Sequence, residues 1–206
     1  MFLDVALGAL MVHLAGRAFD VPLQWWHIAF GMGIALLPDL DVVFRWLRHK
    51  ELWMHAGNTE DHRDGLHYPL AYIMAGTALV FGFFGHLWAI LFGTISLLHF
   101  VHDSFGVGWG VKWLWPFNNK NYKLFNEKDG SPSRRLIVSW TPEELKNIVV
   151  EHGDPDWIKN LFLRPLLRMV TFQALPPLGL AVGLLVEGFI PLAIISILAL
   201  AYGFGL

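Results

Sequence analysis

The stretch WWHIAFGMGIALLPDLD, residues 25–41, decides the organisation of this chain, because it joins a long apolar run to a proline and two aspartates. The apolar run predicts a helix that lies in a membrane. Pro38 disfavours continuation of that helix, since proline lacks a backbone N–H and its ring crowds the preceding turn. Outside regular helical geometry, Asp39 and Asp41 can both turn toward a common ion. The stretch therefore predicts a membrane segment that ends in metal-binding carboxylates.

The composition of the whole chain is that of a membrane protein. Of its 206 residues, 55% are hydrophobic and 16% are charged, whereas an average soluble domain contains about 25% charged residues. The mean hydropathy is +0.47. The absence of cysteine excludes disulfides and thiolate ligands, so a bound metal must be held by histidine and carboxylate. The sequence has no basic stripe of the kind that predicts nucleic-acid binding, so no nucleic-acid partner is expected. The composition identifies no protein partner.

Six apolar segments predict transmembrane helices. They run approximately over residues 2–19, 24–44, 69–86, 88–105, 164–186 and 188–206. The predicted fold is an all-α integral membrane protein, a bundle of about six (four to six) transmembrane helices with a small cytoplasmic cap between the fourth and fifth. We treat residues 1–206 as one membrane domain. Its parts are the metal-site helices at 1–116, the interfacial cap at 117–163 and a C-terminal helical hairpin at 164–206.

The cap has local signals for two elements. The sequence YKLFNEKDGSPSRRLIVSW, residues 122–140, predicts a β-hairpin with KDGS as its turn. The following TPEELKNIVVEHG predicts a short helix, with Thr141 as the N-cap, Pro142 in the first turn and Glu144 closing a capping box.

The distribution of basic residues orients the predicted bundle. With six membrane segments, the loop at 45–68, the long segment at 106–163 and both termini share one side. Arg17 is the one residue among the 15 lysines and arginines that falls on the other side. An excess of Lys and Arg marks cytoplasmic loops, so we expect both polar loops to be cytoplasmic, in a chain integral to the inner (cytoplasmic) membrane.

Histidine and aspartate collect near the ends of the apolar segments. His99 and Asp103, in HFVHD, are four residues apart and therefore lie on one helix face, a spacing that suits two ligands of one ion. His102 can join them or act through a hydrogen bond. In HRDGLH, His62 lies in the loop and His67 at the start of the next helix, so the two can converge.

The topology places these groups at one end of the bundle. The second and fourth segments end on the predicted cytoplasmic side and the third begins there. His13 lies inside the first segment and reaches the same end only if that helix is short or tilted. The predicted metal ligands are His13, Asp39, Asp41, His62, His67, His99 and Asp103.

Four of these elements, in this order, carry a family resemblance. They are an early histidine (His13), WWHIAFGMGIALLPDLD, HRDGLH, and HFVHD followed by glycine-rich sequence and LWP. Over roughly residues 10–117 the chain resembles the YdjM-like family of membrane-bound, metal-dependent hydrolases. The family element HRG followed by Thr-His-Ser is altered here, since Asp64 precedes the glycine and His67 lies between Leu66 and Tyr68. The Thr-Pro that is common after H-x-x-x-D is replaced by SFGVGWG.

The resemblance implies hydrolysis of a phosphoester, because the family is distantly similar to zinc-dependent phospholipase C and the related nucleases. The expected cofactor is one to three divalent ions, with zinc first and manganese or iron also compatible with His/Asp ligands. A metal-activated water would be the nucleophile. Asp64 or His102 would act as acid or base, and Arg63 would pair with a phosphate or with a ligand carboxylate. The site at headgroup depth favours a lipid or other amphiphilic phosphoester as substrate.

Two other classes of function stay open. Histidine and aspartate inside a membrane also mark ion pathways, so a metal or ion transporter is one alternative. A non-enzymatic membrane scaffold or regulatory protein with a structural metal site is the other.

Overall fold

Six helices and one β-hairpin make up the part of the chain that the structure describes. The structure, a computed structural model, describes residues 2–50, 65–105, 109–127 and 131–152. The elements are α1 (Phe2–Ala18), α2 (Trp25–Leu36), α3 (Leu40–His49), α4 (Pro69–Phe84), α5 (His86–Asp103), β1 (Asn121–Asn126), β2 (Pro132–Trp140) and α6 (Pro142–His152). These described ranges are mostly helical, as predicted. The all-α class was incomplete, because the hairpin forms a two-stranded sheet.

The helix that begins at Trp25 ends before Pro38, and a separate helix follows. The N–H of Leu37 bonds the carbonyl of Ile34, which tightens the last turn. Pro38 cannot continue the helical ladder, because it has no N–H. Asp39 is the N-cap of α3. The predicted second segment, 24–44, is thus divided into α2 and the first half of α3.

The chain divides into two compact units, a first that includes Met1–Leu37 and a second that comprises Pro38–Pro155. In the first unit, α1 and α2 pack through small residues. A Cβ on Gly8 would collide with the carbonyl oxygen of Gly31, and a Cβ on Gly31 would collide with the side chain of Val12. Glycine therefore sets the close approach of these two helices, a feature typical of helix pairs in membranes.

In the second unit, α4 and α5 pack against each other as a helical hairpin. They are joined by Gly85, whose φ of +81° is readily adopted only by glycine. Gly76 of α4 leaves room for the ring of Phe92 on α5. Because the two helices run in opposite directions, the start of α4 and the end of α5 lie at the same end of the pair.

The predicted pairing of the two strands and the predicted helix after them are both confirmed, whereas residues 128–130 of the predicted KDGS turn lie outside the described residues. β1 and β2 pair antiparallel, with Asn121 opposite Trp140. At the start of α6, the backbone N–H of Glu144 donates to the Thr141 hydroxyl and the Thr141 N–H donates to the Glu144 carboxylate, at 3.2 and 2.8 Å. These two bonds are the capping box.

Helices occupy the positions of the first four predicted membrane segments. Within the described ranges, however, no single helix combines the length and the apolar composition of a membrane span. α2 and α3, taken together as a pair with a break between them, have the length and the apolar composition of a membrane span. α4 is apolar but shorter. The predicted segments at 164–186 and 188–206 lie outside the described residues.

Candidate metal centre

Four side chains from three places in the second unit converge on one point. Asp39 comes from the break before α3, His67 from the residues before α4, and His99 and Asp103 from the last turns of α5. One ligand atom from each lies within 4.8 Å of the other three. Both imidazoles are buried, with 0% and 1% of their side-chain surfaces exposed, whereas Asp39 is 29% and Asp103 17% exposed. The group therefore opens to its surroundings on the carboxylate side.

The spacing of the ligand atoms suits a single metal ion. Nε2 of His67 lies 3.4 Å from Nε2 of His99 and 2.9 Å from Oδ2 of Asp103. Nε2 of His99 lies 3.6 Å from the same oxygen, and Oδ1 of Asp39 lies 3.8 Å from each Nε2. Ligands bonded at about 2.0–2.1 Å to a tetrahedral zinc lie roughly 3.3 Å apart. The five separations above, 2.9–3.8 Å, lie around this value, so the group is of a size that suits such an ion.

A fifth residue, Asp41, fixes the orientation of His67. Its Oδ2 lies 2.5 Å from Nδ1 of His67, and only 2% of the Asp41 side chain is exposed. A carboxylate can only accept a hydrogen bond, so Nδ1 carries the proton and donates it. Nε2 then points at the other three side chains, and in the neutral ring it is the nitrogen that carries the lone pair. This carboxylate–histidine arrangement is common behind metal-binding histidines.

The end of α5 is held in place by packing and by the hairpin. Phe100, which is fully buried, meets the His67 and His99 rings edge-on, with ring centres 5.7 and 5.5 Å away. Ser104, the next residue after Asp103, donates its hydroxyl to the carbonyl of Phe100 at 2.8 Å. The indole N–H of Trp113 donates to the Ser104 hydroxyl at 2.8 Å.

The backbone of the hairpin also reaches this point. The N–H of Leu124, in β1, donates to the carbonyl of Ser104 at 2.7 Å. The cap thus supports the helix end that carries two of the four candidate ligands. Ser104 and Trp113 were not predicted to support the site, and the only signal for them in the sequence is their proximity to HFVHD.

The predicted ligands fall into three groups. Asp39, His67, His99 and Asp103 are brought together. Asp41 lies behind His67 at Nδ1 instead of among the four, since Asp39 occupies the cap of α3 and Asp41 its first turn. His13 lies on α1 in the other unit and His62 outside the described residues.

Of the residues predicted to act in catalysis, Arg63 and Asp64 also lie outside the described ranges. His102 is half-buried on the last turn of α5, next to Asp103 in the chain, and contributes no atom to the group of four.

The hydrogen bonds of His67 change its basicity. Burial lowers the pKa of His67, but the hydrogen bonds to Asp103 and Asp41 and the negative charges of these two carboxylates together raise it by more, and the resulting pKa is about 9. A metal ion at this position competes with a proton, because the ion needs the lone pair of Nε2. Below this pKa, binding of the metal must release that proton.

We therefore expect the apparent affinity for zinc to rise about tenfold per pH unit from about pH 6.5 to about pH 8.5, as one proton is displaced. The measurement is a competition titration of metal-free protein against a chelator whose own protonation is accounted for. An affinity that does not change across this range would contradict the competition between metal and proton at His67.

Similarity to known proteins falls on the region that holds these side chains. A family model described as YdjM inner membrane protein matches residues 3–163. The chain belongs to the YdjM family. Comparison with curated proteins and with solved structures gives no match. The resemblance predicted from the four sequence elements is confirmed. The match also includes the four converging side chains, so the candidate metal centre is part of the family region.

Proposed function

We propose that this YdjM-family chain is a membrane-embedded hydrolase that uses a divalent metal to cleave a phosphoester at the cytoplasmic interface. The observation that carries the proposal is the convergence of Asp39, His67, His99 and Asp103 within 4.8 Å. Two imidazoles and two carboxylates are ligands that suit zinc, and manganese and iron accept the same set. Among the described residues, the four ligand atoms surround one point and so provide for one of the one to three ions expected from the sequence.

The geometry favours a catalytic centre over a structural one. Catalytic zinc keeps a coordination position for water or substrate, whereas a structural site is closed by four protein ligands. Here His67, His99 and Asp103 form the closer set, and Asp39 is both farther from the imidazoles and the most exposed. Asp39 can therefore move aside or share its position with water more easily than the other three.

Some residues of the chain would orient the metal-binding imidazoles, and others would transfer protons. Asp41 keeps the proton of His67 on Nδ1, and Phe100 packs edge-on against both imidazoles. A bound divalent cation would supply Lewis acidity toward a phosphoryl oxygen and would activate a water. His102, half-buried beside the ligands, is our candidate for proton transfer. Asp64 and Arg63 keep the acid/base and phosphate-binding roles proposed from the sequence.

The proposed substrate class follows from the proposed position of the metal centre at the membrane. The family is described as inner membrane protein, and we propose the bundle of four to six transmembrane helices with its cap and metal centre on the cytoplasmic side. The Lys and Arg distribution of the loops supports that side. A centre near the membrane surface suits a lipid or another amphiphilic phosphoester.

One observation favours a second candidate, a metal transporter. Asp39 lies in the break between α2 and α3, and transporters often bind ions where a membrane helix is interrupted. Zinc uptake by proteoliposomes would distinguish the two, because a hydrolase gives turnover without flux. A metal centre that stabilises the protein without turnover or flux would indicate a scaffold.

The experiment that tests the proposal uses full-length protein purified in detergent. We expect chelator-treated protein to hydrolyse neither bis(p-nitrophenyl) phosphate nor mixed phospholipids, and zinc or manganese to restore the activity in proportion to the metal bound. Metal bound at one equivalent with no turnover on either class of substrate would reject the hydrolase.

A further inference from the structure

Helix α3 carries its apolar face on the outside. Leu40, Val43, Phe44 and Leu47 have the i, i+3, i+4, i+7 spacing of a single helical stripe, and all four are exposed, by 43%, 50%, 62% and 54%. The residues that α3 buries are charged: Asp41 and Arg45 are 2% and 6% exposed.

This arrangement is the reverse of a helix on the surface of a soluble domain, which turns its apolar stripe inward. An exposed, contiguous apolar stripe of this kind marks a surface that another phase or molecule covers.

Cations border the exposed stripe. At 100° per residue, Arg48 falls beside the stripe, Lys50 is the C-cap residue at the end of the helix, and both are exposed. Nζ of Lys50 lies 4.6 Å from the centre of the Trp46 ring. Trp46, which is 47% exposed, is of the residue type that prefers the boundary between lipid and water.

We propose that α3 lies in the plane of the cytoplasmic membrane surface, with its apolar stripe in the acyl chains and Arg48 and Lys50 on anionic headgroups. An apolar stripe flanked by basic residues is the pattern of helices that bind anionic lipid. A helix of ten residues is about 15 Å long, half the thickness of the hydrocarbon core, so α3 alone cannot span it.

The position of α3 has a consequence for the metal centre, and this step rests on the proposed function. Asp39 is the N-cap of α3, and Asp41 in its first turn orients His67. A helix anchored in the headgroup layer therefore holds two residues of the centre at that depth. The substrate class that fits is an amphiphile whose phosphoester lies in the same layer, presented from the membrane instead of from solution.

The absence of cysteine from the chain makes the location of α3 directly measurable. Single cysteines at Phe44→Cys and Leu47→Cys would carry nitroxide spin labels in proteoliposomes that contain anionic phosphatidylglycerol. We expect both labels to collide more often with oxygen than with a water-soluble nickel chelate, at about 5–10 Å below the phosphates. The matched control is Lys120→Cys, an exposed polar position before β1, where the nickel chelate should dominate.

Three results would contradict the proposal that α3 lies at the membrane surface. Nickel accessibility at Phe44→Cys and Leu47→Cys equal to that at the control would place α3 in water. Shielding of both labels from both reagents would show that protein covers the stripe. A depth near the bilayer centre would instead make α3 part of a broken membrane span.

A second experiment tests the membrane position of α3 separately from the proposed hydrolase activity. In the double variant Arg48→Gln, Lys50→Gln we expect at least a fivefold loss of hydrolysis of phospholipid in anionic vesicles, with unchanged hydrolysis of soluble bis(p-nitrophenyl) phosphate. An equal loss on both substrates would contradict the lipid role of these cations. If the unmodified protein cleaves neither substrate, the proposed hydrolase activity is rejected. The spin-label measurement then still decides the position of α3.

Discussion

Replacing His99 by alanine is expected to reduce the bound zinc from about one equivalent to near zero and to abolish the metal-dependent hydrolysis that we propose. Nε2 of His99 lies 3.4–3.8 Å from the other three ligand atoms, and alanine offers no atom in its place. Loss of a hydrogen-bond partner behind a ligand already weakens metal binding by about 10–100-fold, so loss of the ligand itself should exceed that range. Metal content by mass spectrometry and a zinc competition titration measure the effect.

The matched control for this variant is Ser96→Ala. Ser96 lies on the same helix, three residues before His99, and is likewise buried. Its hydroxyl has no hydrogen-bond partner among the described residues, so its removal should leave zinc binding and activity intact. Full zinc occupancy in a correctly folded His99→Ala protein, as judged by its circular dichroism, would show that His99 is not a ligand.

The pair His99 and Asp103 could be predicted from the sequence because its geometry is local. The i, i+4 spacing puts two side chains on one face of any regular helix, whatever the rest of the fold does, and the structure places their ligand atoms 3.6 Å apart. His67 could be predicted for a different reason. A helical hairpin returns the chain to its starting end, so a residue just before α4 must lie near the end of α5.

The role of Asp41 could not be predicted in the same way. Whether Asp39, Asp41 or both face an ion depends on the backbone angles that follow Pro38, and a shift of one residue in the start of α3 exchanges their positions. The backbone of Asp39 has φ −69° and ψ −7°, so α3 begins at once after the break. The sequence shows two carboxylates in DLD but not the residue at which helical geometry resumes.

The end of the second apolar segment could not be predicted from hydropathy for a related reason. Hydropathy counts Val43 and Phe44 as a continuation of the membrane segment, because it sums apolar residues without regard to the side on which they lie. In the structure both belong to the exposed stripe of α3, opposite buried Asp41 and Arg45. By contrast, the hairpin and the capping box of α6 depend on contacts between near neighbours in the chain, and both were predicted.

Replacing Asp41 by alanine is expected to weaken zinc binding by about 10–100-fold without changing the number of ions bound. The variant removes the acceptor that lies 2.5 Å from Nδ1 of His67. The imidazole is then free to carry its proton on Nε2, the nitrogen that must face the metal. In Asp41→Asn, the amide oxygen can still accept the Nδ1 proton, although it lacks the charge. We therefore expect the order of affinity to be wild type, then Asp41→Asn, then Asp41→Ala.

This order separates a positioning role from direct ligation, because an amide is a far poorer zinc ligand than a carboxylate. If Asp41 held the metal itself, Asp41→Asn would bind as weakly as Asp41→Ala, and the visible spectrum of bound cobalt(II) would change in both. If Asp41 positions His67, the cobalt spectrum stays that of the unmodified protein wherever cobalt still binds. Glu143→Gln, which removes an exposed acid from the start of α6, controls for the loss of one negative charge. A shift in the cobalt spectrum of Asp41→Asn, with none in Glu143→Gln, would make Asp41 a ligand and return it to the place that the sequence first suggested.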